Sequence, residues 1–243
     1  AAPGAAVLIY IGLQSGPRVN YRFRAESVGG CAAVQEAGLH QAPACPPPRC
    51  AGQAATLVGD EDAPGPIFGT PGRDVIVGTP GGDLILGRGG DDLICGRGGD
   101  DRISGNAGAD TVNGEGGDDR IDGGDDASRD RLAGQAGTDR IVSGPGDDLV
   151  LGGTGDDARL SGGPGRDRIE GGPGDDEAAG GGGEDVVLGG PGGDTLDGGR
   201  DHDVLRGGGD GDGLLGGEGD DLVFGDAGRD ALYGESGDDF LEA

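Results

Sequence analysis

An aspartate returns every nine residues through most of this 243-residue chain. The series is Asp74, Asp83, Asp92, Asp101, Asp110, Asp119, Asp130, Asp139, Asp148, Asp157, Asp167, Asp176, Asp185, Asp194, Asp203, Asp212, Asp221, Asp230 and Asp239. Sixteen of its 18 intervals are nine residues, the exceptions being 119 to 130 and 157 to 167. Each Asp closes a glycine-rich run, as in Gly69-Thr70-Pro71-Gly72-Arg73-Asp74 and Gly216-Gly217-Glu218-Gly219-Asp220-Asp221. One carboxylate among bare backbone carbonyls is a donor set for a hard cation. Ca²⁺ in particular takes six to eight oxygens and mixes carboxylates with carbonyls. Cys95 is the only thiol within the repeats, so Zn²⁺ or Cu⁺ is not expected there.

Something must hold these aspartates in register, and the residue two places further on is suited to it. With the Asp as position six of a nine-residue unit, position eight reads Ile76, Ile85, Ile94, Ile103, Val112, Ile121, Leu132, Ile141, Val150, Leu160, Ile169, Ala178, Val187, Leu196, Leu205, Leu214, Val223, Leu232 and Leu241. Eighteen of these 19 are Ile, Val or Leu, provided the extra residue of the 157–167 interval falls before Leu160. One inward aliphatic flanked by two outward positions is a short strand. Glycine at positions one, two and four is expected to permit positive φ and to let carbonyls crowd an ion. Outward positions seven and nine carry Val75/Val77, Leu93/Cys95, Leu149/Leu151, Val186/Leu188 and Leu222/Phe224 on one set of alternate strands. The other set carries Arg102, Arg120 and Arg140, so one face is partly apolar and the other basic-striped.

The pattern G-G-x-G-x-D-x-U-x over residues 69–243 resembles the repeats-in-toxin (RTX) calcium-binding family. The resemblance implies an all-β, right-handed parallel β-roll, with six turn residues and three strand residues per unit and two units per coil. Nineteen units then make about 9–10 coils, a rod of roughly 45 Å at ~4.8 Å per coil. It further implies that the 19 aspartates above are the metal residues, with several Ca²⁺ ions between stacked turns. Position five lends a carbonyl in that family. Its extra carboxylates here (Asp91, Asp100, Asp118 and Asp238 among them) are expected to be solvated. Units 18 residues apart stack, and a bare column of carboxylates repels itself unless a cation lies between them. A glycine-rich, aromatic-poor chain is hard to order by burial alone, so folding is expected to be coupled to calcium, at roughly 10⁻⁴–10⁻³ M per site. Ser128, Asp201 and Asp210 stand where the turn expects glycine, residues 125–129 carry two insertions, and Ala178 thins the inner layer. The coil around 176–185 is therefore expected to be the least stable.

Composition narrows the function classes. The formal net charge is −28 and all 18 basic residues are Arg, so neither nucleic acid nor an anionic membrane is an expected partner. No segment is apolar and long enough to span a bilayer as a helix. Residues 1–52 form a different, Cys-containing segment, 53–68 a transition with one degenerate repeat and Ile67 inward, and 69–243 the repeats. Val7–Ile11 reads as a strand, and Val19, Tyr21 and Phe23 as the inward residues of a hairpin partner. Four cysteines suggest two disulfides and an oxidising compartment, with three connectivities open. Because Cys95 lies on the apolar outer face, Cys50–Cys95 with Cys31–Cys45 is favoured, against a free Cys95 thiol.

No catalytic role is expected. The chain has only two histidines, His40 and His202, with no H-E-x-x-H or G-x-S-x-G sequence. The reading is a secreted, extracellular or cell-surface calcium-binding repeat protein, and not an enzyme. The alternative is a calcium-dependent secretion or accessory module of a larger extracellular enzyme or toxin.

Overall fold

The computed structural model describes residues 49–62 and 65–243, together with the backbone of two short strands near the N-terminus. The chain separates into two units, 1–48 and 49–243. In the first, β1 (Glu26–Val28) pairs antiparallel with β2 (Cys31–Ala33), Ser27 opposite Ala32. The strands expected at 7–11 and 19–24, and the Cys31–Cys45 pairing, lie outside the described residues.

The second unit is a two-sheet parallel β-solenoid of about ten turns. Successive strands alternate between an 11-stranded and a 10-stranded sheet, so each strand pairs with those two places away in the chain. Pairing joins like positions of units one coil apart: Ile103 lies between Ile85 and Ile121, and Leu205 between Val187 and Val223. The 119–130 insertion leaves this intact, because Val112 still pairs with Leu132. Position eight therefore stacks into one aliphatic core running from Ile67 to Val223, between the two sheets. Ala178 occupies the same layer and is fully enclosed, between Leu160 and Leu196. With each inward residue contributing roughly 1.5–3 kcal/mol on burial, the core holds the coils in register.

The ladder starts before the first full unit. After the antiparallel pair β3 (Arg49–Cys50) and β4 (Gln53–Ala54) come β5 (Leu57–Val58), β6 (Ile67–Phe68), β7 (Val75–Val77), β8 (Leu84–Gly89) and β9 (Leu93–Gly98). Ile67 points inward opposite Ile85, as its degenerate repeat suggests. Leu57 opposite Ile76 adds an inward residue that the nine-residue pattern does not reveal.

Two expectations need correction. Many strands run six residues rather than three, continuing through positions one to three of the turn, as in Leu84–Gly89 and Thr195–Arg200. The turn backbones of adjacent coils also hydrogen-bond, for example the Gly90 amide to the Ala107 carbonyl at 2.8 Å. And positive φ occurs at positions two and four, not at position one. The glycine at position one serves close approach instead.

Candidate metal-binding columns

Position six ends the turn at the point where the chain re-enters the sheet. There its backbone carbonyl accepts the position-seven amide of the next coil, as Asp74 does from Leu93 at 3.0 Å. Its carboxylate reaches the other way. Asp92 Oδ1 accepts the Asp74 amide at 2.8 Å, Asp101 Oδ1 the Asp83 amide at 2.7 Å, and Asp239 Oδ1 the Asp221 amide at 3.1 Å. The same bond recurs at every coil step between, including both irregular intervals. The 19 aspartates thus line up as two columns, one along each edge of the roll. Those from Asp74 to Asp221 are buried, while Asp230 and Asp239 are half-buried.

The second carboxylate oxygen is left over. Among the described residues, Oδ2 of Asp92, Asp101, Asp110, Asp119, Asp139, Asp148, Asp157, Asp167, Asp176, Asp185, Asp194, Asp203, Asp212 and Asp221 is buried and accepts no hydrogen bond. A buried carboxylate oxygen without a partner is costly, and its recurrence at 14 positions is a systematic feature. Burial pushes the carboxyls of Asp101, Asp110, Asp157, Asp167, Asp185 and Asp203 up from 3.8 to about 7. It pushes those of Asp92, Asp119, Asp130 and Asp194 up to about 6. The donated backbone amide pulls the other way, and neighbouring aspartates add to the rise.

Position-one glycines show where the orphaned oxygens point. A Cβ built on Gly87 would lie 2.6 Å from Asp92 Oδ2 and 2.7 Å from the Gly105 carbonyl oxygen. On Gly198 it would lie 2.6 Å from Asp203 Oδ2 and 2.5 Å from the Gly216 carbonyl oxygen. The missing side chain leaves a cradle in which a carboxylate oxygen of one turn and a carbonyl oxygen of the next coil converge. Among the described residues no three His, Cys, Asp or Glu side chains gather into a metal cage. The donor set is one carboxylate per turn with backbone carbonyls, which suits a hard, oxygen-seeking ion such as Ca²⁺.

Three features of the turns were not evident in the repeat pattern. Position-five carboxylates are exposed, as expected, but seven of the eight aspartates there also accept the position-five amide of the next coil, such as Asp91 from Ala109 at 3.0 Å and Asp220 from Asp238 at 2.9 Å. His202 does the same through Nδ1, 2.7 Å from the Asp220 amide nitrogen. In the insertion, Asp126 accepts the Gly108 amide at 3.2 Å and the Ser128 hydroxyl, and its Oδ1 is a further buried orphan beside Asp110 and Asp130. An Asp within an insertion flanked by column members was the available signal. Asp201 and Asp210 hold φ of 73° and 71°, so they keep the turn shape that glycine provides elsewhere.

The outer faces differ as the side chains suggest. On one sheet Arg102, Arg120, Arg140 and Arg159 are paired in an exposed row. On the other, Val75, Val77, Leu93 and Cys95 are buried under Cys50 and Ala55, and Cys50–Cys95 is a disulfide with Cα atoms 5.7 Å apart. That is the favoured pairing, and the apolar face is covered there by the chain's own segment 49–55. No described helix is long and apolar enough to cross a membrane.

Fold and site together define an acidic parallel β-roll whose turns present oxygen ligands in two columns. Residues 68–241 match, in overlapping copies, the family model of the RTX calcium-binding nonapeptide repeat, and the chain belongs to that family. It is a calcium-binding repeat protein. No curated protein matches it.

Proposed function

We propose that this chain is a secreted, non-catalytic calcium binder whose roll folds as Ca²⁺ enters the two aspartate columns, and which serves outside the cell as a rigid surface or matrix element. The observation that carries the reading is the run of buried Oδ2 atoms without a hydrogen-bond partner. Thirteen of the 14 lie beside a position-one glycine, the exception being Asp148 with Ser143 there, and at Gly87, Gly105, Gly180 and Gly198 among others a carbonyl oxygen of the next coil closes the cradle. Those oxygens, from Asp92 to Asp221, are the ligands in this reading, with the position-one carbonyls beside them. A net charge of −28 supports it, because counter-ions bound along the columns relieve the self-repulsion of the folded state. The Cys50–Cys95 disulfide supports an oxidising compartment.

A calcium titration of the chelator-treated protein, followed by far-UV circular dichroism and calorimetry, tests this. The expected result is β signal that grows with Ca²⁺ in the range of roughly 10⁻⁴–10⁻³ M, with several ions bound per chain. Full β signal in chelator, with no heat of calcium binding, would overturn it.

A further inference from the structure

The first two turns are built differently from the 17 that follow. From Gly87 onward, position two has positive φ in every turn, whether glycine or not: Arg88, Arg97, Asn106, Glu115, Gln135, Asp226 and Glu235 adopt it alongside the glycines. Thr70 and Thr79, which hold position two in the first two turns, do not. Their amides turn onto the carboxylate instead. The Thr70 amide donates to Asp74 Oδ2 at 2.6 Å, with the Thr70 hydroxyl 2.9 Å from the same oxygen. The Thr79 amide donates to Asp83 Oδ2 at 2.6 Å. The Gly72 and Gly81 amides point back at the two threonine hydroxyls, at 3.3 and 3.2 Å, closing each turn on itself. On the other side of Asp74, the Thr56 hydroxyl lies 3.3 Å from Oδ1. The oxygen that is orphaned in 14 later turns is satisfied here by protein donors. A carboxylate whose Oδ2 already accepts an amide must give up that bond to take an ion.

The same end of the roll carries two features that the described interior lacks. It has a second apolar cluster outside the sheet, of Cys50, Val75, Val77, Leu93 and Cys95, and the disulfide ties β3 to β9. Phe68 lies under the Arg88 guanidinium, 5.0 Å from ring centroid to carbon, and Arg97 pairs with Glu61 at 3.6 Å. Solenoids need a terminal unit that folds without a neighbour on one side.

We propose that the turns at 69–74 and 78–83 hold no calcium, their threonines taking the ion's place, and that residues 49–86 with the disulfide form a metal-independent cap from which calcium-driven folding of the roll proceeds. This rests on the calcium reading above for the later turns and narrows it: the ion columns begin at Asp92 and Asp101.

Hydrogen exchange of the full, oxidised chain read by mass spectrometry tests the cap, with and without chelator. In chelator, strands 75–77 and 84–86 are expected to exchange at least about tenfold more slowly than 204–209 and 213–218, and Ca²⁺ should then protect all four. Equal, fast exchange of all four in chelator overturns the cap, while protection on adding Ca²⁺ would leave the calcium reading standing. A protected 75–86 with no response to Ca²⁺ keeps the cap and removes the calcium reading. The double variant Thr70→Gly/Thr79→Gly allows position two the φ of the later turns. It should lose the protection of 75–86 in chelator by about tenfold, and regain it with Ca²⁺, which shows that the variant still folds. Undiminished protection of the variant in chelator would rule out the threonines as the ion's substitute.

Discussion

The two ends of the roll are finished in opposite ways. At the N-terminal end, Val75, Val77 and Leu93 lie beneath residues 49–55, the disulfide closes over them, and Asp74 and Asp83 have hydrogen-bonded Oδ2 atoms. At the C-terminal end, the inward residue Leu241 is 42% exposed, Phe240 51% and Tyr233 62%, and Asp230 and Asp239 are only half-buried. Phe224 and Phe240 do pack there, with ring centroids 5.9 Å apart, but nothing among the described residues covers the final strands. The contrast separates two sources of order. A nine-residue unit brings one aliphatic and one carboxylate, and it is stable only through what lies above and below it. Protein donors, a disulfide and an extra apolar layer supply that support at one end, whereas the interior is left with recurring orphan oxygens that call for a cation.

The largest effect should come from filling a cradle. Gly198→Ala places a Cβ between Asp203 Oδ2 and the Gly216 carbonyl, both within 2.6 Å, so backbone must move and the ion site is lost. Urea unfolding in saturating Ca²⁺ should show a loss of about 3 kcal/mol or more. Gly72→Ala, in the first turn, meets nothing within 4 Å and lies outside the positive-φ region. It should stay within about 0.5 kcal/mol of the parent. The matching position of a later turn is Gly219, which has φ of 147° and would place a Cβ 1.9 Å from the Asp201 carbonyl oxygen. Gly219→Ala should therefore cost far more than Gly72→Ala, and equal costs at those two sites would erase the distinction between the turn types.

Next is the disulfide. Cys50 and Cys95 close a loop over a separation of 45 residues, and chain entropy puts its contribution at about 4 kcal/mol. Reduction in the presence of Ca²⁺ should raise hydrogen exchange in 75–77 and 93–98 and leave 186–191 nearly unchanged. Loss of protection all along the roll would mean that the interior depends on its N-terminal end even when loaded with calcium.

Acidity should act on the interior columns next. The column carboxyls that burial pushes up to about 6 or 7 start from 3.8 in the unfolded chain, so the folded state binds more protons across that interval. Metal-free stability is therefore highest below about pH 4 and is lost as pH rises towards 7. Calcium competes with those protons, so its affinity should weaken as pH falls through the same window. Circular dichroism in chelator should show β signal gained between pH 7 and 5, and a calcium electrode should show ion released from the loaded protein. A calcium affinity that stays flat over that range would contradict the buried, orphaned state of Oδ2.

Much of the roll was legible because its two strongest constraints fall on fixed positions. An aliphatic at position eight and an Asp at position six can be counted, and they located the core, the columns and the inward Ile67. The outward direction of position nine favoured a bond from Cys95 to the N-terminal segment, with Cys50 the preferred partner among the pairings left open, and the disulfide is Cys50–Cys95. What could not be counted is what depends on the neighbouring coil. Glycine at position one and glycine at position two are the same letter, yet the first makes room for oxygens and the second supplies a left-handed φ. The position-five ladder and the Leu57 coil join residues about 18 places apart, through donors that any residue carries on its backbone. The role of Thr70 and Thr79 was not legible at all, because a sequence does not show which way an amide faces.

The smallest effect is expected at the open end. Leu241 occupies the inward position of the last unit and is paired through its backbone with Val223, but its side chain remains 42% exposed. Ile76, at the same position in the first full unit, is fully enclosed between Leu57 and Ile94. Ile76→Ala should cost about 2–5 kcal/mol, in the range for an enclosed aliphatic, whereas Leu241→Ala should cost less than about 1 kcal/mol, because most of its surface is not recovered from water on folding. The comparison is best made by urea titration in saturating Ca²⁺, where both variants keep their ion columns. A cost at Leu241 equal to that at Ile76 would mean that the C-terminal strands are covered in solution, and the asymmetry between the two ends would disappear.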